Sequence, residues 1–388
     1  MKIEDKRHTV KIETLTPVHI GSGNFLQNNS EFVNDNGFLY VIAPEKLLNA
    51  IGEDRLDYWV AAIERGSSVS ELVARIGNGA SPKEYAKRSV RMCAGRILNG
   101  QTTLKECMHD GRGVAYIPGS SIKGAIRTAI LADLAYGEKE LGAKIKFGNE
   151  KFACSDVEKE LFGKSPNSSL FRFLQVGDAY FTEGCEIALN EVNLNITEGV
   201  SLLDEKKQQM VEAVGKGFTA EFSIKLLNDY NAFAFTKAEA RDRVISEDYK
   251  KIALRRLLDN MASMEALFAT INKNTGQLIK EEINKWQLKA EKHNDDATAL
   301  KYVDAMKEIL RIVNGCTSNE CVLRVGQASG WRFTTGAWTE KLDEFDDIIT
   351  MARPKNKENY SDYVFPKSRR IAGGEEYTLL GFVKLTLQ

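Results

Sequence analysis

Ile117-Pro118-Gly119-Ser120-Ser121-Ile122-Lys123-Gly124-Ala125-Ile126-Arg127 turns an extended run into a helix. Pro118 and Gly119 stop the strand, Ser120 or Ser121 can cap the next helix, and that helix continues over residues 129–136. A helix start leaves backbone N–H groups free at the positive end of the macrodipole, so an anion is the expected guest. Lys123 and Arg127, one turn apart, add two cations on one face, and Gly124 lets another backbone come close. The same residues also read as a routine capped helix with two solvated basic side chains. They do not form a nucleoside-triphosphate loop, because Lys123 precedes Gly124 instead of following a second glycine.

Towards the N-terminus, His8-Thr9-Val10-Lys11-Ile12-Glu13-Thr14-Leu15 alternates apolar and charged residues as a half-buried strand and ends at Thr16-Pro17. Val18-His19-Ile20-Gly21-Ser22-Gly23-Asn24 reads as a turn, and residues 31–42 as a hairpin around Asn34-Asp35-Asn36-Gly37. Residues 44–100 read as a helical insertion, with apolar spacings such as Leu47, Leu48, Ile51 and Trp59, Val60, Ile63. Extended structure returns over residues 104–117, broken by Asp110-Gly111-Arg112-Gly113. Further along the chain, a short helix is expected over 155–162 and strands over 170–179 and 186–196.

A domain boundary is expected near residue 200. The second half then offers a strand at 218–227 and a charged helical block at 238–313, interrupted near Asn274-Thr275-Gly276 and His293-Asn294-Asp295. It closes with a strand at 321–325, a loop, a helix and a terminal strand at 377–387. Both halves, 1–200 and 201–388, thus share one plan: opening strand, helical insertion, then a glycine-rich loop. The expected class is α+β, a duplicated β-α-β domain with a helical insertion in each copy. No residue-level repeat accompanies that plan.

The 388 residues carry 53 Lys and Arg against 54 Asp and Glu, a net charge of -1, so any nucleic-acid surface has to be local. The first residues are charged and no apolar run could span a bilayer, which leads to an expected cytoplasmic location. Six dispersed cysteines, Cys316 and Cys321 the closest pair, suggest neither a metal site nor a disulfide framework. No cofactor is indicated.

Three further segments add candidates. In the first turn, Gly21, Ser22 and Gly23 offer flexible backbone, and His19 is the lone acid-base candidate, without a nucleophile or orienting carboxylate assignable by spacing. Leu323-Arg324-Val325-Gly326-Gln327-Ala328-Ser329-Gly330-Trp331-Arg332-Phe333 joins glycines for close approach to arginines for charge. Trp331 or Phe333 there can stack on a base or fill a core, and core is favoured. Pro366-Lys367-Ser368-Arg369-Arg370-Ile371-Ala372-Gly373-Gly374 concentrates Lys367, Arg369 and Arg370 in one loop, whereas Lys250-Lys251 with Arg255-Arg256 reads as a solvated helix face.

Thr16-Pro17-Val18-His19-Ile20-Gly21-Ser22-Gly23, Ile117 to Arg127, and Arg324-Val325-Gly326-Gln327-Ala328-Ser329-Gly330-Trp331, in that order and spacing, resemble the RAMP superfamily of CRISPR-associated proteins. The length, the helical insertions and the ending with Pro-Lys-Ser-Arg-Arg ahead of a last strand are similar to the family of fifth subunits of type III-A Csm complexes. The resemblance implies two ferredoxin-like, RRM-like domains. It also implies binding to guide RNA (crRNA) towards its 3′ end, next to target RNA, at the end of a filament. The implied protein partners are the repeated backbone subunit, the small subunit and host 3′-5′ exonucleases that help guide maturation. Target cleavage in such complexes belongs to an aspartate of the backbone subunit. The comparable stretch here offers Asn24, Asn28, Asn29 and Glu31 but no aspartate, so no catalysis is expected.

The RRM signature K/R-G-F/Y-G/A-F-V-x-F/Y is absent, which favours loops and helix ends over stacking on an open sheet. Contacts of that kind suit a guide of variable sequence, because phosphate contacts position RNA without reading bases. Two other readings compete with this one. The first is a metal-independent endoribonuclease of the same superfamily acting on repeat RNA through His19; the second is an interaction hub built on the helical block.

Overall fold

The computed structural model describes residues 6–76, 79–93, 98, 101–135, 142, 145–146, 154–162, 169, 171, 174–195, 203–226, 263–292, 297–352, 368–373 and 378–388. Alternation in the opening segment produces β1 (Lys6–Thr14), which buries Val10 and Ile12 completely. After β2 (Gly21–Gln27) comes the hairpin of β3 (Phe32–Asp35) and β4 (Phe38–Ile42). Asn36 and Gly37 both take positive φ, 47° and 80°, the tight turn that matches the twist of paired strands.

Helices α1 (Pro44–Ile51), α2 (Leu56–Glu64) and α3 (Val69–Ile76) come next. Leu47, Ile51, Leu72 and Val73 close a small core over Val33 and Tyr85. The insertion is shorter than expected, because Ala86–Met92 forms β5. Then come β6 (Thr103–Cys107), β7 (Tyr116–Ile117), α4 (Gly119–Ala135) and α5 (Ser155–Phe162), and after them β8 (Leu174–Val176), β9 (Ala179–Tyr180) and β10 (Glu186–Asn195). The chain continues through β11 (Leu203–Val214), β12 (Thr219–Leu226), α6 (Met264–Lys292), α7 (Ala297–Asn314), β13 (Glu320–Arg324), α8 (Phe345–Ala352), β14 (Ser368–Gly373) and β15 (Phe382–Leu387).

Two large sheets organise these elements. The first is antiparallel, in the order β13-β15-β1-β12-β8. β1 and β8 run the same way on either side of β12 with α4 between them in the chain, which is a split β-α-β arrangement. The second has eight strands, β2-β6-β11-β10-β5-β4-β3, with β14 also paired to β10. The boundary expected near residue 200 therefore does not divide the sheets. β1 is flanked by strands from residues 219–226 and 382–387, so the two halves of the chain are interleaved.

One core lies between the first sheet and α4, α5 and the start of α6, and contains Ile12, Ile122, Ile126, Ile130, Ile224 and Phe268. A second gathers Leu194, Trp286, Tyr302, Met306, Val322 and Phe382, and so joins α6 and α7 to both sheets. The break expected at Asn274-Thr275-Gly276 is absent, and α6 runs straight through. Its polar residues there serve the edge strand instead. Asn272 donates to Glu320 O (2.8 Å) and accepts from Val322 N (3.0 Å), and Thr275 Oγ1 donates to Val322 O (2.8 Å). Gly276 lets α7 approach through Val313 and Leu310. Among the described residues no helix is long and apolar enough to cross a membrane.

Candidate nucleic-acid interface

The helix that begins after Pro118 is α4, and it starts at Gly119, two to three residues before a cap at Ser120 or Ser121 would place it. Pro118 O accepts from Ser121 N and Ile122 N, and Gly119 N donates to Asp178 Oδ1 at 2.7 Å. The carboxylate at this helix start is thus the protein's own, which corrects the expectation of an exogenous anion on that N–H. Gly119 is required there, because a Cβ would run into the backbone of Val176 and Gly177.

The exposed face of α4 differs from its tip. Ser120 and Gly124 are exposed, and nothing lies within 4 Å of the position a Gly124 Cβ would take. Ser121 and Lys123 are half-buried beside them. Burial lowers the Lys123 ammonium below the usual lysine pKa, and no described carboxylate pairs with it. Arg127 is committed differently: it bridges to Glu158 of α5 at 2.7 Å and stacks over Phe162, 4.6 Å from the ring centre. Thr128 meets Thr335 at 3.1 Å, so this face runs beside the turns that come after the Gly326 loop.

The other candidate segments converge on one another. Gln327 N donates to His19 O at 3.0 Å, and Gly381 N donates to Pro17 O at 2.8 Å. Gly326 has φ 80°, and its α-carbon faces the His19 carbonyl and Ile20, leaving no room for a side chain. Gln327 also hydrogen-bonds Lys105 and donates to Glu191 Oε2 (2.7 Å), whose other oxygen is 3.2 Å from Arg370 Nε. Gly330 lies against Arg369. Sequence spacing missed Lys105, which reaches this junction only because β6 pairs with β11 beside β2.

Several expected contact residues turn inward. Residues 21–24 begin edge strand β2 rather than a turn; Gly21 and Gly23 are exposed, and Ser22 Oγ donates to Glu106 Oε2 at 3.1 Å. His19 is only 1% exposed, its Nδ1 2.5 Å from Glu212 O and its Nε2 unpartnered. Burial holds its pKa below the ordinary histidine value, so the ring is neutral with Nδ1–H donating. As placed, neither ring nitrogen faces an incoming phosphate.

Arg324 is buried over Phe333 and Phe382 and donates to Leu380 O (3.0 Å) and Ala328 O (3.2 Å). Phe333 packs edge-on against Phe382, and Trp331 is half-buried against Gly336. The segment read as a basic loop is strand β14, and it turns Arg369 into the interior, where it pairs with Glu282 at 2.6 Å. Arg370 lies on the opposite side of that strand, half-buried. Lys367 lies outside the described residues, as do residues 238–262 of the helical block.

Residues 11–333 match the family model described as the RAMP superfamily. The chain belongs to the RAMP superfamily. Among its relatives in this superfamily, the CRISPR system Cms protein Csm5 of Methanocaldococcus jannaschii is 27% identical over 186 residues, 45% of this chain and 43% of that one. The protein of the same name from Enterococcus italicus is 24% identical over 252 residues, 58% of this chain and 61% of that one. The matches thus span about half the length of these curated relatives.

Solved structures share the fold over nearly the whole chain. One is a chain of a Csm–crRNA–target RNA ternary complex, with a TM-score of 0.68 and 17% identity, covering 99% of this chain and 100% of that one. Another is T. onnurineus Csm5, with a TM-score of 0.62 and 18% identity, covering 96% of this chain and 99% of that one.

Proposed function

We propose that this RAMP protein is a non-catalytic, RNA-binding subunit of a type III-A Csm effector complex in antiviral defense. In this reading it binds crRNA towards the 3′ end, beside target RNA, and caps the filament of backbone subunits next to the small subunit. It supports crRNA maturation by recruited 3′-5′ exonucleases. The relatives named Csm5 and the fold shared with a chain of a Csm–crRNA–target RNA complex support the assignment. The split β-α-β order of the first sheet supports a ferredoxin-like unit, with a second built around β10 and β11.

The observation that carries the RNA-binding reading is the α4 face: exposed Ser120 and Gly124 beside Lys123, a cation without a described counter-charge. A lysine held without a carboxylate is available to a phosphate, and a glycine on the same turn lets the sugar-phosphate chain come close. The exposed edge at Gly21 and Gly23, with Lys105 beside it, offers a second stretch of accessible backbone.

Lys123→Ala is expected to leave the melting temperature unchanged while weakening crRNA retention in the reconstituted complex. The slope of log K against log salt should flatten by about 1, the signature of one lost phosphate contact. Unchanged retention and slope in a folded variant would remove α4 from the interface. Gly124→Ala should stabilise the isolated chain by up to about 1 kcal/mol, because alanine is the better helix former and space is open. It should nevertheless weaken RNA binding, so opposite signs in thermal melts and RNA titrations are the expected result.

A further inference from the structure

Cys107, which stands alone in the sequence, gains neighbours in the fold that could share a metal ion with it. Cys107 ends β6, His109 comes two residues later on the same side of the extended chain, and parallel pairing of β6 with β11 brings Glu212 alongside. Cys107 Sγ is 3.8 Å from His109 Nε2, and the same Nε2 is 3.9 Å from Glu212 Oε1 and 3.4 Å from Glu186 Oε1. One ligand atom each from Cys107, His109 and Glu212 lies within 4.8 Å of the others.

The surrounding hydrogen bonds orient these atoms. His109 Nδ1 lies 3.0 Å from Cys107 O, so it donates there and turns Nε2 towards the thiol and the two carboxylates. Arg88 donates Nε to Glu212 Oε1 (2.8 Å) and a terminal nitrogen to Oε2 (3.0 Å), while Cys107 N also donates to Oε2 (3.0 Å). Oε2 is thereby saturated, and Oε1 keeps a lone pair on the side of His109. Cys107 and Glu212 are buried and His109 has a nearly buried side chain, so water does not compete freely for the site.

We propose that Cys107, His109 and Glu212 bind a single zinc ion, with Glu186 beside the remaining position, its Oε1 3.4 Å from His109 Nε2. Zinc bonds of about 2.3 Å to sulfur and about 2.1 Å to nitrogen and oxygen set tetrahedral ligand atoms about 3.4–3.6 Å apart. The separations from His109 Nε2 to Cys107 Sγ and Glu212 Oε1, 3.8 and 3.9 Å, need only a few tenths of an ångström of contraction, and that between Cys107 and Glu212, within 4.8 Å, needs up to about 1 Å. The mixed sulfur, nitrogen and oxygen set suits zinc, and disfavours magnesium or calcium, which take all-oxygen shells. Binding replaces the Cys107 S–H bond with a sulfur–zinc bond and releases that proton to solvent. The ion would pin the end of β6 to β11 at Glu212, the residue whose carbonyl meets His19.

The test uses the full chain, expressed in zinc-supplemented cells and purified under reducing conditions. Mass spectrometry of the metal content should find about one zinc per chain, and cobalt exchanged into the site should show a thiolate-to-cobalt charge-transfer band. Replacing the three half-buried cysteines by serine (Cys93, Cys154 and Cys316) should leave metal and band intact, whereas Cys107→Ser and His109→Gln should each abolish them. Wild-type protein that contains no zinc and takes up no cobalt overturns the site even if those two variants fail to fold. So does metal retained by Cys107→Ser, or metal lost with the three half-buried cysteines.

Discussion

Glu282→Ala is expected to destabilise the isolated chain by about 3–5 kcal/mol, the usual cost of stranding a buried charge. Glu282 is 1% exposed on α6 and accepts four hydrogen bonds: from Arg369 at 2.6 and 2.7 Å, from Arg332 at 2.8 Å, and from the Tyr302 hydroxyl at 2.9 Å. Arg332 would keep Glu340 at 2.6 Å, but Arg369 would lose its carboxylate partner while buried. The loss should appear as a lower denaturant midpoint at unchanged slope.

The same carboxylate predicts an acid limb. Burial by itself would raise the Glu282 pKa, but Arg369 and then Arg332 overcome it and hold it at about 2 against an ordinary 4.5. A depressed carboxylate contributes stability that is complete above the unfolded value and fades as pH falls from about 4.5 towards 2. That depression corresponds to about 3 kcal/mol, which the wild type should lose across this window and Glu282→Ala should not. Parallel acid titrations of the two proteins would overturn the role assigned to the pair.

That ion-pair network also explains what the sequence concealed. Arg369 lies among basic residues and reads as part of a basic patch in a loop, because its partner is 87 positions away on another element. Only pairing of β14 with β10 reveals which face of the segment is interior. β11 was hidden for a related reason: its opening residues, Leu203-Asp204-Glu205-Lys206-Lys207, are charged without alternation, so neither period is visible. Where local chemistry decides the structure, it was legible. Val10 and Ile12 announced β1, Asn36-Gly37 announced the hairpin, and residues 155–162 announced α5 with both ends in place. The interleaving of the sheets left no local mark, since β1 pairs with strands more than 200 residues away.

Glycine is the residue type on which sequence and structure differ most usefully, and Gly326→Ala is expected to cost about 3 kcal/mol. Alanine at φ 80° carries roughly 1–2 kcal/mol of left-handed strain. Its Cβ would also press on the His19 carbonyl and Ile20, an overpacking term of about 1–3 kcal/mol. The neighbour that must yield is backbone, fixed from both sides: His19 O holds Gln327 N, and Val18 pairs with Val214 in both directions. Gly124 looks equivalent in sequence, yet faces open space at a helical φ. One glycine admits the protein's own chain, and in the proposed function the other admits RNA. Measuring unfolding and crRNA affinity for both variants separates the two roles: Gly326→Ala should move stability first and binding only through it. Gly124→Ala should move binding without any loss of stability. If Gly326→Ala melts like wild type, the loop is looser than its contacts with His19 imply, and its glycines would revert to candidates for direct RNA contact.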